Sequence, residues 1–177
     1  MTARMDTLVG NSYSILKFSD LPVHCQMATV WFNVIEGGGW TDVAIDPNWE
    51  SDEETKAGLV MLMPKYVERY GEELFGLVSL SVDALKVSIM QDEDFASSWD
   101  SWEKFCASYG TGPSDHPEDN RWPVLLSYDN YSTIWDGWNR FNSYLRDGAT
   151  EIQAMFYPQE HHLVACGIMP AASPKPV

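Results

Sequence analysis

Two glycines, Gly137 and Gly148, bracket a run in which Trp138, Phe141, Tyr144 and Leu145 recur at helical spacing. Tyr131 to Trp135 reads as a strand before the first glycine. Thr150 to Tyr157 reads as another after the second, with Ile152, Ala154 and Phe156 on one face. Asp136-Gly137 breaks the first strand, and Gly148 ends the helix at its C′ position. The unit is thereby read as strand, sharp glycine turn, helix and strand.

Upstream, Trp122 to Ser127 has strand character, and Tyr128 to Asn130 is a turn that joins it to Tyr131 to Trp135 as a hairpin. Tyr13 to Phe18 is a short strand followed by a helix start at Ser19 to Pro22. Val23, Met27, Val30, Trp31, Val34 and Ile35 continue as a helix, which the glycines at 37–39 end. His24 and Cys25 fall in that helix and read as packing residues. A second helix begins at Ser51, where Ser51 to Glu54 has the capping-box pattern, and Pro64 is expected to kink or split it before Tyr66 to Tyr70. Leu77 to Val82 reads as a strand, and Ser97 to Tyr109 as a helix with Trp99, Trp102, Phe105 and Cys106 on one face. Pro170 to Val177 is a tail without core-forming residues.

The chain has 177 residues, of which 45% are hydrophobic, enough for one core and too few for two ordinary domains. Its formal net charge of −15 argues against a protein held on nucleic acid or an anionic membrane by a general positive field. Resolved by segment, seven acids stand against Lys56 in residues 36–60, and eight against Lys104 in residues 91–120. Residues 121–150 balance Arg121, Arg140 and Arg146 against Asp129, Asp136 and Asp147, and hold three of the five arginines. Cys25, Cys106 and Cys166 are far apart and form no ligand spacing, which fits incidental thiols in a reducing, cytoplasmic compartment. The loop 110–120 contains Asp115, His116, Glu118 and Asp119, donors that can in principle hold a divalent cation, although such loops are commonly just solvated. Glu160, His161 and His162 are read the same way, as an exposed and unspecific cluster.

Chemistry concentrates at the glycine turn. A helix that starts directly after Gly137 presents backbone N–H groups and the positive end of its dipole, an anion site in waiting. Asn139 and Arg140 lie in its first turn, where an amide and a guanidinium fork add donors for phosphate oxygens. The plainer alternative is that Arg140 pairs with Asp136 or Asp147 on the surface and does nothing else.

The run Thr133-Ile-Trp-Asp-Gly-Trp-Asn-Arg-Phe-Asn-Ser-Tyr144, with Gly148 and the strand after it, resembles the strand–Gly–x–His–Arg–helix signature of the ParB/sulfiredoxin superfamily. Leu77 to Val87 corresponds to that family's opening strand and turn, Trp99 to Tyr109 to its next helix, and Trp122 to Ser127 to the strand before the signature. The resemblance implies an α+β fold, a small mixed sheet with flanking helices, over residues 77–160. Residues 1–76 become a helical extension packed on this core, and 161–177 a C-terminal tail.

The resemblance also implies a nucleotide-phosphate site, with Gly137, Trp138, Asn139 and Arg140 holding ATP or another nucleotide. Gly137 and Arg140 match the signature; if the protein is an enzyme, Asp136 and Arg140 are the catalytic candidates, and Asp136 is the carboxylate to hold Mg²⁺ or orient water because it adjoins the turn. Trp138 stands where sulfiredoxin has its catalytic cysteine, so reductase chemistry is set aside. Asn139 replaces the usual His, which keeps a phosphate donor but removes a general acid/base. Partition proteins need DNA-binding helices for which this acidic chain offers no basic segment. What remains is the accessory branch of plasmids and other mobile elements, ATPases or DNases that inhibit conjugative DNA transfer, with nucleotide and DNA as partners. The alternative is a non-catalytic acidic inhibitor or adaptor that docks on a basic DNA-handling protein through acids such as Asp92, Glu93 and Asp94.

Overall fold

A computed structural model describes residues 8, 11–35, 40, 52–91, 95, 98–108, 122–128, 131 and 133–170. The chain is an α+β protein built on one five-stranded mixed sheet. Its strands are β1 (Tyr13–Lys17), β2 (Leu74–Ser81), β3 (Val124–Leu126), β4 (Ile134–Asp136) and β5 (Glu151–Phe156), in the order β1-β2-β5-β3-β4. β5 pairs antiparallel with β2 and parallel with β3. The outer pairs β1–β2 and β3–β4 are antiparallel, which leaves β1 and β4 at the edges.

Helices cover both faces. α1 (Val23–Val30), the π-helical turn Trp31–Ile35 that continues it, and α2 (Asp52–Tyr70) lie on one side. There Phe18, Cys25, Leu59, Met63 and Tyr66 pack on Phe75, Leu125 and Met155 of the sheet. α3 (Val82–Met90), α4 (Trp102–Ser108) and α5 (Trp138–Arg146) lie on the other. There Leu85, Ile89, Trp102, Phe105, Phe141 and Tyr144 pack on Leu80, Val124, Leu126, Ile152, Ala154 and Phe156. β5 serves both layers by strand alternation, since Ala154 enters one cluster and Met155 the other. A last helix, α6 (Glu160–Ala165), follows it.

Several elements differ from the sequence expectation. α2 runs unbroken through Pro64. β2 begins at Leu74, so a boundary at residue 76 falls inside a strand, and the N-terminal segment contributes β1 to the same sheet. The region read as a strand and turn up to Val87 turns helical at Val82, where the Ser81 hydroxyl caps α3 by accepting from the Ala84 N–H at 3.4 Å. The helix expected over 97–109 is assigned from Trp102, with Trp99 to Ser101 outside helix. Residues 160–165, expected at the edge of a tail, form α6, and His162 is not exposed but buried against Tyr13, Tyr131 and Phe156. His24 Nε2 meets Gln153 Oε1 at 2.9 Å.

The glycine-bounded segment is as expected. Gly137 adopts φ +101° and Gly148 φ +76°. At the end of α5 the Gly148 N–H donates to Leu145 O at 3.1 Å and the Ala149 N–H to Tyr144 O at 2.9 Å, the paired bonds of a Schellman stop. The glycine run at 37–39, the cap at Ser51, the acids Asp92, Glu93 and Asp94, the loop 110–120 and residues 171–177 lie outside the described residues.

Candidate functional site

Asp136 ends β4, Gly137 is the N-cap of α5, and Arg140 sits in the first turn of that helix. No side chain caps the helix, and the first bond of its ladder runs from the Phe141 N–H to Gly137 O at 2.8 Å. The positive φ at Gly137 lets the chain reverse from strand to helix within one residue. The Arg140 side chain then folds back over the turn, so close that a Cβ on residue 137 would lie 2.8 Å from Nη2 and 3.1 Å from Nε.

Arg140 Nη2 donates to Asp136 Oδ2 at 2.9 Å, and the two side chains are only 11% and 16% exposed. The predicted ion pair therefore forms, but well covered and not out on the surface. The guanidinium also lies 5.6 Å from the centre of the Trp122 ring, which supports it by a cation–π contact. Its Nε is the one buried side-chain nitrogen or oxygen among the described residues that lacks a hydrogen-bond partner. A buried donor left without an acceptor is costly, and this one belongs to a permanent cation.

Asp136 and Arg140 line a cleft that encloses about 230 Å³ of empty space, part of it open to solvent. Its other walls include Thr29 of α1, Phe32 and Asn33 of the π-helical turn, and Tyr157 just beyond β5. Asn33 Nδ2 donates to Thr29 O and to the Tyr157 hydroxyl, both at 2.9 Å. Burial pushes that hydroxyl up to about 12, so it stays a neutral donor and acceptor at ordinary pH. The Tyr157 carbonyl accepts from the Tyr131 hydroxyl at 2.8 Å, which ties the end of β5 to the β3–β4 connection. π-helical turns concentrate at functional sites because they re-aim side chains within a helix, and here the turn carries two of the cleft residues.

The structure thus brings together Asp136, Gly137 and Arg140 and does not bring Trp138 or Asn139 into the cleft. Trp138 packs against Phe105 and Phe141 in the opposite layer, and the Asn139 side chain is exposed. Thr29, Asn33 and Tyr157 are cleft residues that sequence reasoning did not find. Asn33 and Tyr157 are 124 positions apart in the chain and meet only through the packing of α1 on the sheet.

No family model, curated protein or solved structure matches the chain. Among the described residues no helix is long and apolar enough to cross a membrane, and no three His, Cys, Asp or Glu side chains cluster as a metal site.

Proposed function

We propose that this protein binds the phosphate of a nucleotide at the β4–Gly137–α5 turn, as a ParB/sulfiredoxin-like protein. We further propose that ATP hydrolysis or DNA cleavage in the service of a mobile element is the activity served by that site. The observation that carries the binding is the buried, unpartnered Nε of Arg140 at the wall of the cleft. A phosphate oxygen accepts from that Nε while Nη2 keeps its bond to Asp136, and the positive end of α5 adds a favourable dipole.

Among the described residues that line the cleft, Asp136 is the only carboxylate. Mg²⁺ is commonly held by one or two carboxylates together with substrate phosphates, so this residue set fits Mg²⁺ only in the company of phosphate. Such an ion would offset phosphate charge and polarise the phosphorus. With Asn139 exposed and no imidazole among the described lining residues, Asp136 is also the group placed to orient an attacking water.

Titration of the whole chain with ATP, CTP and GTP plus Mg²⁺, by calorimetry and thermal shift, tests the binding. A saturable, stabilising interaction that is lost in Arg140→Ala is the expected result. Equal binding by wild type and Arg140→Ala overturns the reading. Hydrolysis and plasmid nicking assayed on the same proteins test the activity, with Asp136→Asn expected to bind without turnover.

A further inference from the structure

The cleft that Asp136 and Arg140 line is partly open to solvent. A ligand whose phosphate is held at Arg140 must therefore extend outward over the rim. Beside that rim, in contact with the cleft walls Phe32 and Tyr157, stands Trp135. It occupies the edge strand β4, directly before Asp136, and it is 50% exposed, unusual for the largest apolar side chain.

The register sets this position apart. Ile134 faces Leu126 and Asp136 faces Leu125, so β4 carries one residue more than β3 across this step, and Trp135 is that residue. A bulge of this kind breaks the alternation of the strand and re-aims a side chain, frequently beside an active site. The indole is held from the side by Phe32 at 5.0 Å and Tyr157 at 6.4 Å between ring centres, both in edge-type geometry. Those two neighbours are themselves walls of the cleft. The indole is therefore oriented by packing, adjacent to the anion turn and half open to solvent.

The geometry points to Trp135 as a stacking platform for a flat aromatic ring carried by the same ligand whose phosphate sits at Arg140. This inference rests on the phosphate reading of the turn and narrows its ligand class to nucleoside phosphates, over inorganic and sugar phosphates. Stacking of a base on an aromatic side chain is strong enough to decide such a preference and tolerates any base.

The test compares ATP with inorganic tripolyphosphate, which has the phosphates but no ring, in calorimetric titrations of wild type, Trp135→Ala and Trp135→Phe. Trp135→Ala should weaken ATP about tenfold or more. It should leave tripolyphosphate within roughly twofold, a change too small to reflect a lost stacking contact. Trp135→Phe, which keeps a ring, should recover most of the ATP affinity. Unchanged ATP affinity in Trp135→Ala, with tripolyphosphate still bound, overturns the platform and leaves the phosphate site standing. Equal loss of both ligands also overturns it, since the residue would then act on the turn as a whole. Failure of the wild type to bind either ligand overturns both readings.

Discussion

Arg140 Nη2 reaches back one helical turn to Asp136 Oδ2 at 2.9 Å, and this ion pair holds the strand–glycine–helix turn closed with both partners largely buried. It also leaves the Nε of the same guanidinium without a partner. The ion pair therefore uses one nitrogen of the side chain, and the proposed phosphate contact would use another.

Removing Arg140 strands a carboxylate that is 16% exposed. Breaking a fully buried pair costs about 3–5 kcal/mol, and this partly open one should cost about 1–3 kcal/mol. Asp136→Asn keeps an acceptor beside Arg140 and should cost about 1 kcal/mol. In a double-mutant cycle followed by urea denaturation, the Arg140→Ala/Asp136→Asn variant should recover part of the single-variant loss. Strict additivity would show that the two side chains do not stabilise each other.

Gly137 and Gly148 both have positive φ, but only Gly137 has a neighbour in the way. An alanine at 148 meets nothing within 4 Å, so Gly148→Ala should cost about 1 kcal/mol of backbone strain. An alanine at 137 would add a Cβ 2.8 Å from Arg140 Nη2 and force the guanidinium off Asp136. Gly137→Ala should therefore cost about 2–4 kcal/mol and abolish phosphate binding, while Gly148→Ala binds normally. Equal stability losses in the two variants would contradict this account of the turn.

Gly76 lies opposite Phe156 across the β2–β5 pair, and the Phe156 ring covers it: a Cβ there would fall 2.1 Å from Cζ. Phe156 is fully buried and touches Tyr13, Tyr131 and His162, so the ring has no room to withdraw. Gly76→Ala should destabilise by about 1–3 kcal/mol through overpacking. Phe156→Leu in the same chain should relieve part of it, making the double variant more stable than the two single losses predict. Chemical denaturation of the four proteins reads this directly.

Local signals in the chain were sufficient for the glycine-bounded unit, because Gly137 and Gly148 act through their own backbone angles and the apolar spacing between them is unambiguous. They were insufficient where a local preference had two readings. Val82 and Val87 favour a strand, yet the Ser81 cap and Asp83 in the first turn start α3, and burial of Leu85 and Ile89 decides the case. His162 looked exposed because it neighbours His161 and Glu160. It is buried because its Nδ1 accepts from the Gln159 N–H at 3.1 Å while its ring fills a gap between aromatic side chains. The backbone of the turn was readable for the same local reason as the helix. The other cleft walls were not, since Thr29, Asn33 and Tyr157 come together only when α1 packs on the sheet, and the place of Trp135 as the extra residue of β4 is set by the pairing of two strands.

Alkaline pH offers a test of how tightly that packing holds. Burial pushes the Cys25 thiol from 9.0 up to about 12. The Tyr157 hydroxyl is likewise raised from 10.0 to about 12, chiefly by burial and in spite of its bond to Asn33. Both groups are neutral when protonated, so the folded state prefers the proton more than the unfolded state does. Their contribution to stability is therefore complete below about pH 9 and declines as the pH rises toward about 12. Each group lowers the stability by about 1.4 kcal/mol per pH unit while it is ionised only in the unfolded chain. Urea midpoints should consequently fall between pH 9 and 11, and Tyr157→Phe and Cys25→Ala should each flatten that fall. The same burial should protect Cys25 from a thiol reagent at pH 8, where exposed Cys166 reacts at once and Cys25 only as fast as the protein unfolds. Labelling of Cys25 at the Cys166 rate in the native protein would show that α1 does not seal the sheet, and the cleft that α1 helps to build would go with it.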